Sequence, residues 1–455
     1  MSNQQIELQF ITHACVLLIA GEVRLLCDPW LSGTAFDDGW RLLAEPSTTI
    51  EDCSPTHIWI SHEHPDHFSP RDLLKLPAEQ RGHITVLYQE TKDQKVESFL
   101  RAKGFRVQIL PTMERVDLSP DVSVCCAPIG SDSWLAFFAY GQTVLNLNDC
   151  ITGQDILIDD PDNLPSNQVD EIRTMVENPD VLLTQFSYSN WVGNPDDLHL
   201  HRLQARTKLN QVRQQIRTLK PRTVLPFASF VHFCHKENAY LNEEANTVHR
   251  VVPVIEDEDA QALVLSPGDL WRVGDSHENK EALQRWTQIY RQAADRSLEE
   301  SAIVSEVDLR DAFSGYQQRV RERNDWAAIE RLTHAGGLRP TKIYLWDHGT
   351  GFLFDLVNHL APCSMDADDA DICMSSSTLA YLLNYDWGRG TLMVNGRFSA
   401  DYQGIHRFLA QTQIAYGNNV GLRFPETLPE SIIRESPSYV AFFARQALRL
   451  NAEMG

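Results

Sequence analysis

The chain has 455 residues, 43% hydrophobic and 22% charged. It is long enough for two or three domains, and a disordered chain is excluded. Its 62 acidic and 40 basic residues give a net charge of −22, a field that repels nucleic acid and anionic membranes, so a small-molecule substrate is the expected partner. No apolar run reaches the roughly 18–20 residues of a membrane span. The opening MSNQQIELQF lacks the basic and apolar regions of a secretory signal, which predicts a cytoplasmic protein.

Residues 6–30 read as a hairpin: IELQFITHACVLLIA is strand-like, Gly-Glu is a turn, and VRLLCDPW is a second strand ended by Pro29. THIWISH is a short buried strand, and SPRDLLKL opens a helix after it. HITVLYQE is a strand, ESFLRAKG a helix closed by Gly104, and FRVQIL another strand. VSVCCAPI, LAFFAYG and TVLNLND give three further strands. The helix VDEIRTMVENP, the strand DVLLTQF, a long amphipathic helix over 201–221 and the strand RTVLPFASF follow, and ALVLSPGDLWRVG reads as strand–turn–strand. Strands first, with helices after and between them, suit two packed sheets covered by helices. Charged helical sequence fills 278–335, and Gly336-Gly337 with Pro340 marks a boundary. Mixed α/β sequence returns after it, and PSYVAFFARQALRLNAEM reads as a closing helix. The expected division is a metal-binding catalytic domain over 1–275, a helical connector over 276–337 and a smaller α/β domain over 338–455.

The chemistry concentrates in ISHEHPDHFSP, where three of the 16 histidines fall within one hexapeptide. His62, His64, Asp66 and His67 follow a buried strand, so the sheet holds them while the loop lets them converge. Imidazole with carboxylate suits borderline first-row metals, iron, zinc and manganese among them. A tight turn lets His62 and His64 share one ion, with Asp66 and His67 facing a second. The nine cysteines are scattered. Neither the Cys-x-His and Cys-x-x-His pairs of a Rieske cluster nor a C-x-x-C zinc pair occurs.

His62-x-His64-x-Asp66-His67 resembles the H-x-H-x-D-H signature of the metallo-β-lactamase superfamily. That resemblance implies an αββα sandwich with metals between the sheet edges. It implies that Asp149, at the end of TVLNLND, bridges two metals, and that a late histidine completes the second site; His235 is the choice and His232 the runner-up. The family usually supplies a further His or Glu near CCAPIGSDSW, where this chain offers only Asp132. Either Asp132 ligates, or the first site is open, or one metal alone binds firmly. The segment DPWLSGTAFDDGWRLLAEP (28–46), with ISHEHPDHFS and PFASFVHFCHKENAYLNEE, resembles the CMP-N-acetylneuraminate hydroxylase family over roughly residues 7–270. That family uses iron and O₂, with electrons arriving through a Rieske domain that this chain lacks. The resemblance therefore implies one or two irons and a separate electron donor. Metallo-β-lactamase-fold di-iron β-hydroxylases of natural-product pathways show that the fold hosts O₂ chemistry without a Rieske domain. ADICMSSSTLAYLLNYDWGRGTLMVNGRFSAD faintly resembles a sterol-carrier domain.

The expected activity is hydroxylation of an amino acid, amino sugar or natural-product intermediate. The alternative is hydrolysis by a zinc- or manganese-activated water, oriented by Asp66. Trp30, Trp40, Tyr188 and Trp191 are candidate aromatic walls. Lys236, Asn238 and Tyr240, just past His235, offer contacts to an anionic or amide-bearing substrate. His13, on an early strand, is placed close behind the ligands.

Overall fold

The computed structural model describes residues 4–91, 93–130, 132–150, 167–419 and 421–425. The closing helix expected over 437–454 lies outside the described residues. Two seven-stranded sheets face each other. The first runs in the order Leu270–Arg272, Glu7–Thr12, Cys15–Ala20, Val23–Cys27, His57–Trp59, Thr85–Gln89 and Arg106–Leu110. The second runs Gln261–Ala262, Thr223–Phe227, Val181–Gln185, Gln142–Asn148, Asp132–Ala139, Val122–Ile129 and Arg115–Ser119. Strand periodicity explains the layering, because successive side chains leave a strand on opposite faces. Leu18, Leu25 and Trp59 enter the core between the sheets, while their neighbours Leu17, Leu26 and Ile58 pack outward. The outward set meets helix Lys95–Ala102 through Val96 and Leu100. On the far side, helix Leu198–Leu219 adds Val212, Ile216 and Leu219. This is the expected αββα sandwich.

The run IELQFITHACVLLIA is not one strand. It folds back at His13, where φ is +28°, into the antiparallel pair Glu7–Thr12 and Cys15–Ala20. No glycine or proline marks this turn, and the residues on either side are equally buried, so hydropathy carries no sign of it.

The expected connector over 276–337 does not stand alone. Helix Lys280–Ala294 packs into the first core through Ala282, Trp286 and Ala293. Helices Glu306–Arg323 and Trp326–His334 belong instead to a second core, with Leu309, Phe313, Tyr316, Val320 and Ile329. That core is built on a five-stranded sheet ordered His359–Cys363, Thr350–Asp355, Thr341–Leu345, Ile372–Met374 and Phe398–Ala400. Each helix sorts with whichever sheet its apolar face covers. Among the described residues no helix is long and apolar enough to cross a membrane.

Candidate metal centre

Strand His57–Trp59 ends at the mouth of the sandwich, and the chain turns tightly, with the His67 and Phe68 amides donating to the His64 carbonyl. Ser69 then caps helix Pro70–Leu73, its hydroxyl accepting from the Asp72 amide. The turn brings His62, His64, Asp66 and His67 together. Strand Gln142–Asn148 delivers Asp149 from the facing sheet. Asn148, at φ +51°, turns the chain there, a left-handed conformation that asparagine tolerates. Asp132 comes from the start of the next strand in that sheet.

The distances define two neighbouring groups. The His62 Nε2 lies 2.9 Å from His64 Nδ1 and 3.6 Å from Asp132 Oδ1. His67 Nε2 lies 3.1 Å from Asp66 Oδ2 and 3.3 Å from Asp149 Oδ2. Ligand atoms of His62, His64 and Asp132, and of His62, His67 and Asp149, fall within 4.8 Å of one another in each set. The expected open question at Asp132 is thereby narrowed: its carboxylate stands with His62 and His64.

The residues behind the cluster fix its tautomers. Asp28 accepts from the Ser61 amide at 2.8 Å, the Ser61 hydroxyl at 2.8 Å and the Asn148 amide at 2.6 Å. It also pairs with His67 Nδ1 at 3.1 Å. The Ser61 hydroxyl, spent on Asp28, accepts from His62 Nδ1 at 2.9 Å. Both imidazoles therefore carry a proton on Nδ1 and turn Nε2 into the cluster; neutral His62 presents its Nε2 lone pair there, and His67 would do so once a bound cation displaced its second proton. Asp66 Oδ1 is buried with no hydrogen-bond partner, a cost a bound cation would remove. His62 Nε2 and His64 Nδ1 are hydrogen-bonded to each other at 2.9 Å. The donor set thus fits one or two first-row metal ions.

Charge follows from burial and pairing. Burial pushes His62 down to about 4, so it stays neutral, and lowers His64 as well. Burial acts against charge on Asp66 and His67 too, but their mutual attraction outweighs it. Asp66 is held well below the usual carboxylate range and His67 well above the usual imidazole range.

His13 also belongs here. Its Nε2 lies 3.2 Å from Asp66 Oδ2, and its Nδ1 accepts the Phe230 amide at 3.2 Å. An Nδ1 that accepts leaves the proton on Nε2, so His13 donates to Asp66 and holds that carboxylate in place.

Other expected site residues go elsewhere. His235 is a correction: its ring meets Ser301 Oγ at 3.2 Å and Glu237 at 3.5 Å, because strand Val231–Phe233 pairs with Trp40–Leu42 in a separate small sheet and carries it away. His232, on the same strand, faces Arg41 and Arg296 instead. None of the six residues expected to touch substrate lines the cavity beside the cluster. Trp30 donates to the Ser32 carbonyl and Tyr188 to the Leu241 carbonyl. Trp191 packs on Phe398 and Tyr402. Lys236 pairs with Glu300 at the surface. Asn238 accepts from the His235 amide and donates to the Gly39 and Asn395 carbonyls, and Tyr240 donates to the Gly193 carbonyl. Polar residues beside a sequence motif read as substrate contacts, but here they knit loops together.

A cavity of about 180 Å³ opens onto His64, Asp66, Asp132 and Asp149. Its other walls include Phe36, Trp40, Gln185, Ser189, Lys208 and Val394. Of these, Trp40 is one of the expected aromatic walls, and Ser189 lies in the segment FSYSNWVGNP, whose Ser, Tyr and Asn read from sequence as a hydrogen-bonding rim loop. One signal for Lys208 was legible: Gln204, Lys208, Gln211 and Gln215 recur at the spacing of a buried helical stripe, and all four are buried.

Residues 7–125 match the family model described as a β-lactamase superfamily domain. The N-terminal sandwich is a metallo-β-lactamase fold. The chain is 26% identical over 268 residues to the cytidine monophosphate-N-acetylneuraminic acid hydroxylase of Danio rerio, covering 52% of this chain and 40% of that one. The Mus musculus hydroxylase is 27% identical over 248 residues, 52% of this chain and 41% of its own. The Homo sapiens protein, named inactive, is 42% identical over 90 residues, 19% and 18% of the two chains. The match with the zebrafish and mouse hydroxylases thus spans about two-fifths of their length. Among solved structures, CmlA, a diiron β-hydroxylase from Streptomyces venezuelae, aligns with TM-score 0.39 at 16% identity, over 60% of this chain and 55% of that one. Igni18, a metallo hydrolase from Ignicoccus hospitalis, aligns with TM-score 0.39 at 15% identity, over 60% and 100%. The metallo-β-lactamase domain thus carries its histidine–carboxylate cluster at the mouth of the sandwich, open to a cavity.

Proposed function

We propose that the protein is an iron-dependent oxygenase that hydroxylates a small molecule, an amino acid, amino sugar or natural-product intermediate, with electrons from a separate donor. The observation that carries this reading is the similarity to hydroxylases, in a chain whose imidazole–carboxylate cluster is oriented for a cation. One or two irons would be held by His62, His64 and Asp132 and by Asp66, His67 and Asp149. Iron, when bound, supplies the O₂ chemistry. In the balanced reaction one oxygen atom enters a C–H bond; two electrons and two protons reduce the other to water.

The chain's own residues position and protect. Asp28, Ser61 and Asn148 hold the two imidazoles in register. Gln185 donates to Asp149 Oδ1 at 3.0 Å, which leaves Oδ2 toward the cluster. Phe36, Trp40 and Val394 form apolar walls that exclude water from the reacting end of the substrate. His13 keeps a proton at Nε2, beside Asp66.

Hydrolysis with zinc or manganese is the second reading. It is favoured by Asp66, whose unpartnered Oδ1 suits the orienting of a metal-activated water.

The test is metal content per chain on untagged protein, purified anaerobically without added metal. One or two irons, with reductant-dependent O₂ consumption, supports the oxygenase. Zinc or manganese without iron, and no O₂ consumption after iron loading, supports hydrolysis.

A further inference from the structure

We propose that Asn395 and Arg397 are positioning residues for the reaction site. They hold the turn Phe36–Asp38 in a left-handed form that keeps the Phe36 ring against His64, so the module built on the second core completes the cavity. The proposed function enters only in taking this cavity as the place of reaction. The turn joins strands Thr34–Ala35 and Trp40–Leu42. Its φ angles are +53° at Phe36, +55° at Asp37 and +55° at Asp38. The short polar side chain of aspartate tolerates positive φ, but a bulky phenylalanine there is an outlier. Such strain persists only where the surroundings over-determine it.

The surroundings do so here, and two of the holding side chains come from the second core's module. The Phe36 carbonyl accepts from Asn395 Nδ2 at 3.1 Å and from the Gly39 amide at 3.1 Å. The Asp37 carbonyl accepts from Arg397 Nη1 at 2.6 Å, and the same nitrogen donates to Asp37 Oδ2 at 2.8 Å. The Asp38 carbonyl accepts from Cys234 Sγ. Asn395 ends helix Gly388–Asn395, and Arg397 leads into strand Phe398–Ala400. Leu392 and Phe398 anchor those elements in the second core. Asn395 and Arg397 are each 1% exposed, and Asn395 Oδ1 accepts the Arg397 amide at 3.0 Å.

Gly39 shows how closely the two parts meet. A Cβ there would stand 2.5 Å from the Asn395 Cβ and 2.9 Å from the Phe36 carbonyl oxygen, so only glycine lets Asn395 reach the turn. The effect of the hold is at the ring. Phe36 packs edge-on to His64, with centroids 5.5 Å apart, and to Trp40 at 4.5 Å. All three line the cavity. Relaxing Phe36 to negative φ would redirect its Cβ, and the ring would leave His64. Asn395 and Arg397 thus act on the cavity through Phe36, without touching the cluster.

The test measures how fast diethyl pyrocarbonate modifies His64 in full-length, chelator-treated protein, read by tandem mass spectrometry. The exposed His83 is the internal reference. Asn395→Asp keeps the acceptor for the Arg397 amide but turns an oxygen on the Phe36 carbonyl. Gly39→Ala drives a methyl group between Asn395 and the turn. Ile329→Ala, in the second core away from the turn, controls for lost stability. In Asn395→Asp and Gly39→Ala the His64 rate should rise about two- to tenfold, the population change one hydrogen bond sets, with His83 unchanged. Ile329→Ala should leave His64 at the wild-type rate. Circular dichroism checks folding, and if one of the two site variants fails to fold, the other decides. A wild-type His64 rate in a folded site variant overturns the proposal; so does an equal rise in Ile329→Ala. The assay needs neither bound metal nor turnover, so its failure leaves the oxygenase reading standing, and failure of that reading leaves the hold on Phe36 standing.

Discussion

At the scale of single residues, the most informative position is Asp28. Its carboxylate gathers the Ser61 amide and hydroxyl, the Asn148 amide and His67 Nδ1. Asp28→Asn keeps the shape but replaces an acceptor with a donor facing His67, so the ring loses the partner that sets its tautomer. Metal affinity should fall about 10–100-fold, measured by competition with a chelator, while the circular dichroism spectrum is retained. His13→Ala should have a smaller effect on metal content, because His13 contacts Asp66 from behind; unchanged binding kinetics and activity would show that the contact is dispensable. His64→Ala and Asp149→Ala should each lose metal and activity together, and full metal content in either would refute the ligand assignment. The motif made His62, His64, Asp66 and His67 legible in the sequence, since their roles depend on local spacing. Asp28 stood out only as part of a distinctive Asp-Pro-Trp segment. Its role depends on a contact 39 residues away in the chain, which spacing does not encode.

At the scale of elements, helix Lys280–Ala294 shows how packing reaches the site. Trp286 stacks on Phe230 with ring centroids 4.2 Å apart and donates to the Leu265 carbonyl. The Phe230 amide in turn donates to His13 Nδ1. Trp286→Ala should cost about 3–5 kcal/mol of stability, read by urea denaturation. It should also loosen the His13 contact, so metal affinity falls more than in a variant of similar cost such as Leu382→Ala in the second core. Strand and helix periodicities made most elements readable. The turn at His13 and the sorting of the 280–334 helices between two cores were not, because each depends on which distant face covers them.

At the scale of the whole molecule, the two cores are joined by a buried polar latch. Arg397, 1% exposed, pairs with Asp37 at 2.8 Å and Glu237 at 2.7 Å and donates to Ser301 and Ser377. Burial nevertheless pushes the Asp37 carboxyl up to about 6, outweighing the shared Arg397 guanidinium, with Asp38 and Glu237 adding to the rise. A carboxyl raised above its unfolded value near 3.9 contributes stability that is complete below about pH 4 and lost as pH rises through 6. Two pH units correspond to about 3 kcal/mol. Asp37→Asn should remove this slope, so its stability relative to wild type should rise by up to about 3 kcal/mol between pH 4 and pH 7. Parallel pH profiles in urea denaturation would refute it. This latch was illegible in the sequence, since its charges sit 160 and 360 residues apart.

Val394, beside this latch, has a consequence of a different kind. It lies on helix Gly388–Asn395 of the second core and forms part of the cavity wall over the cluster. A change of size at Val394 would therefore reshape the cavity from the C-terminal module while leaving the histidine–carboxylate cluster, which lies wholly in the N-terminal sandwich, untouched.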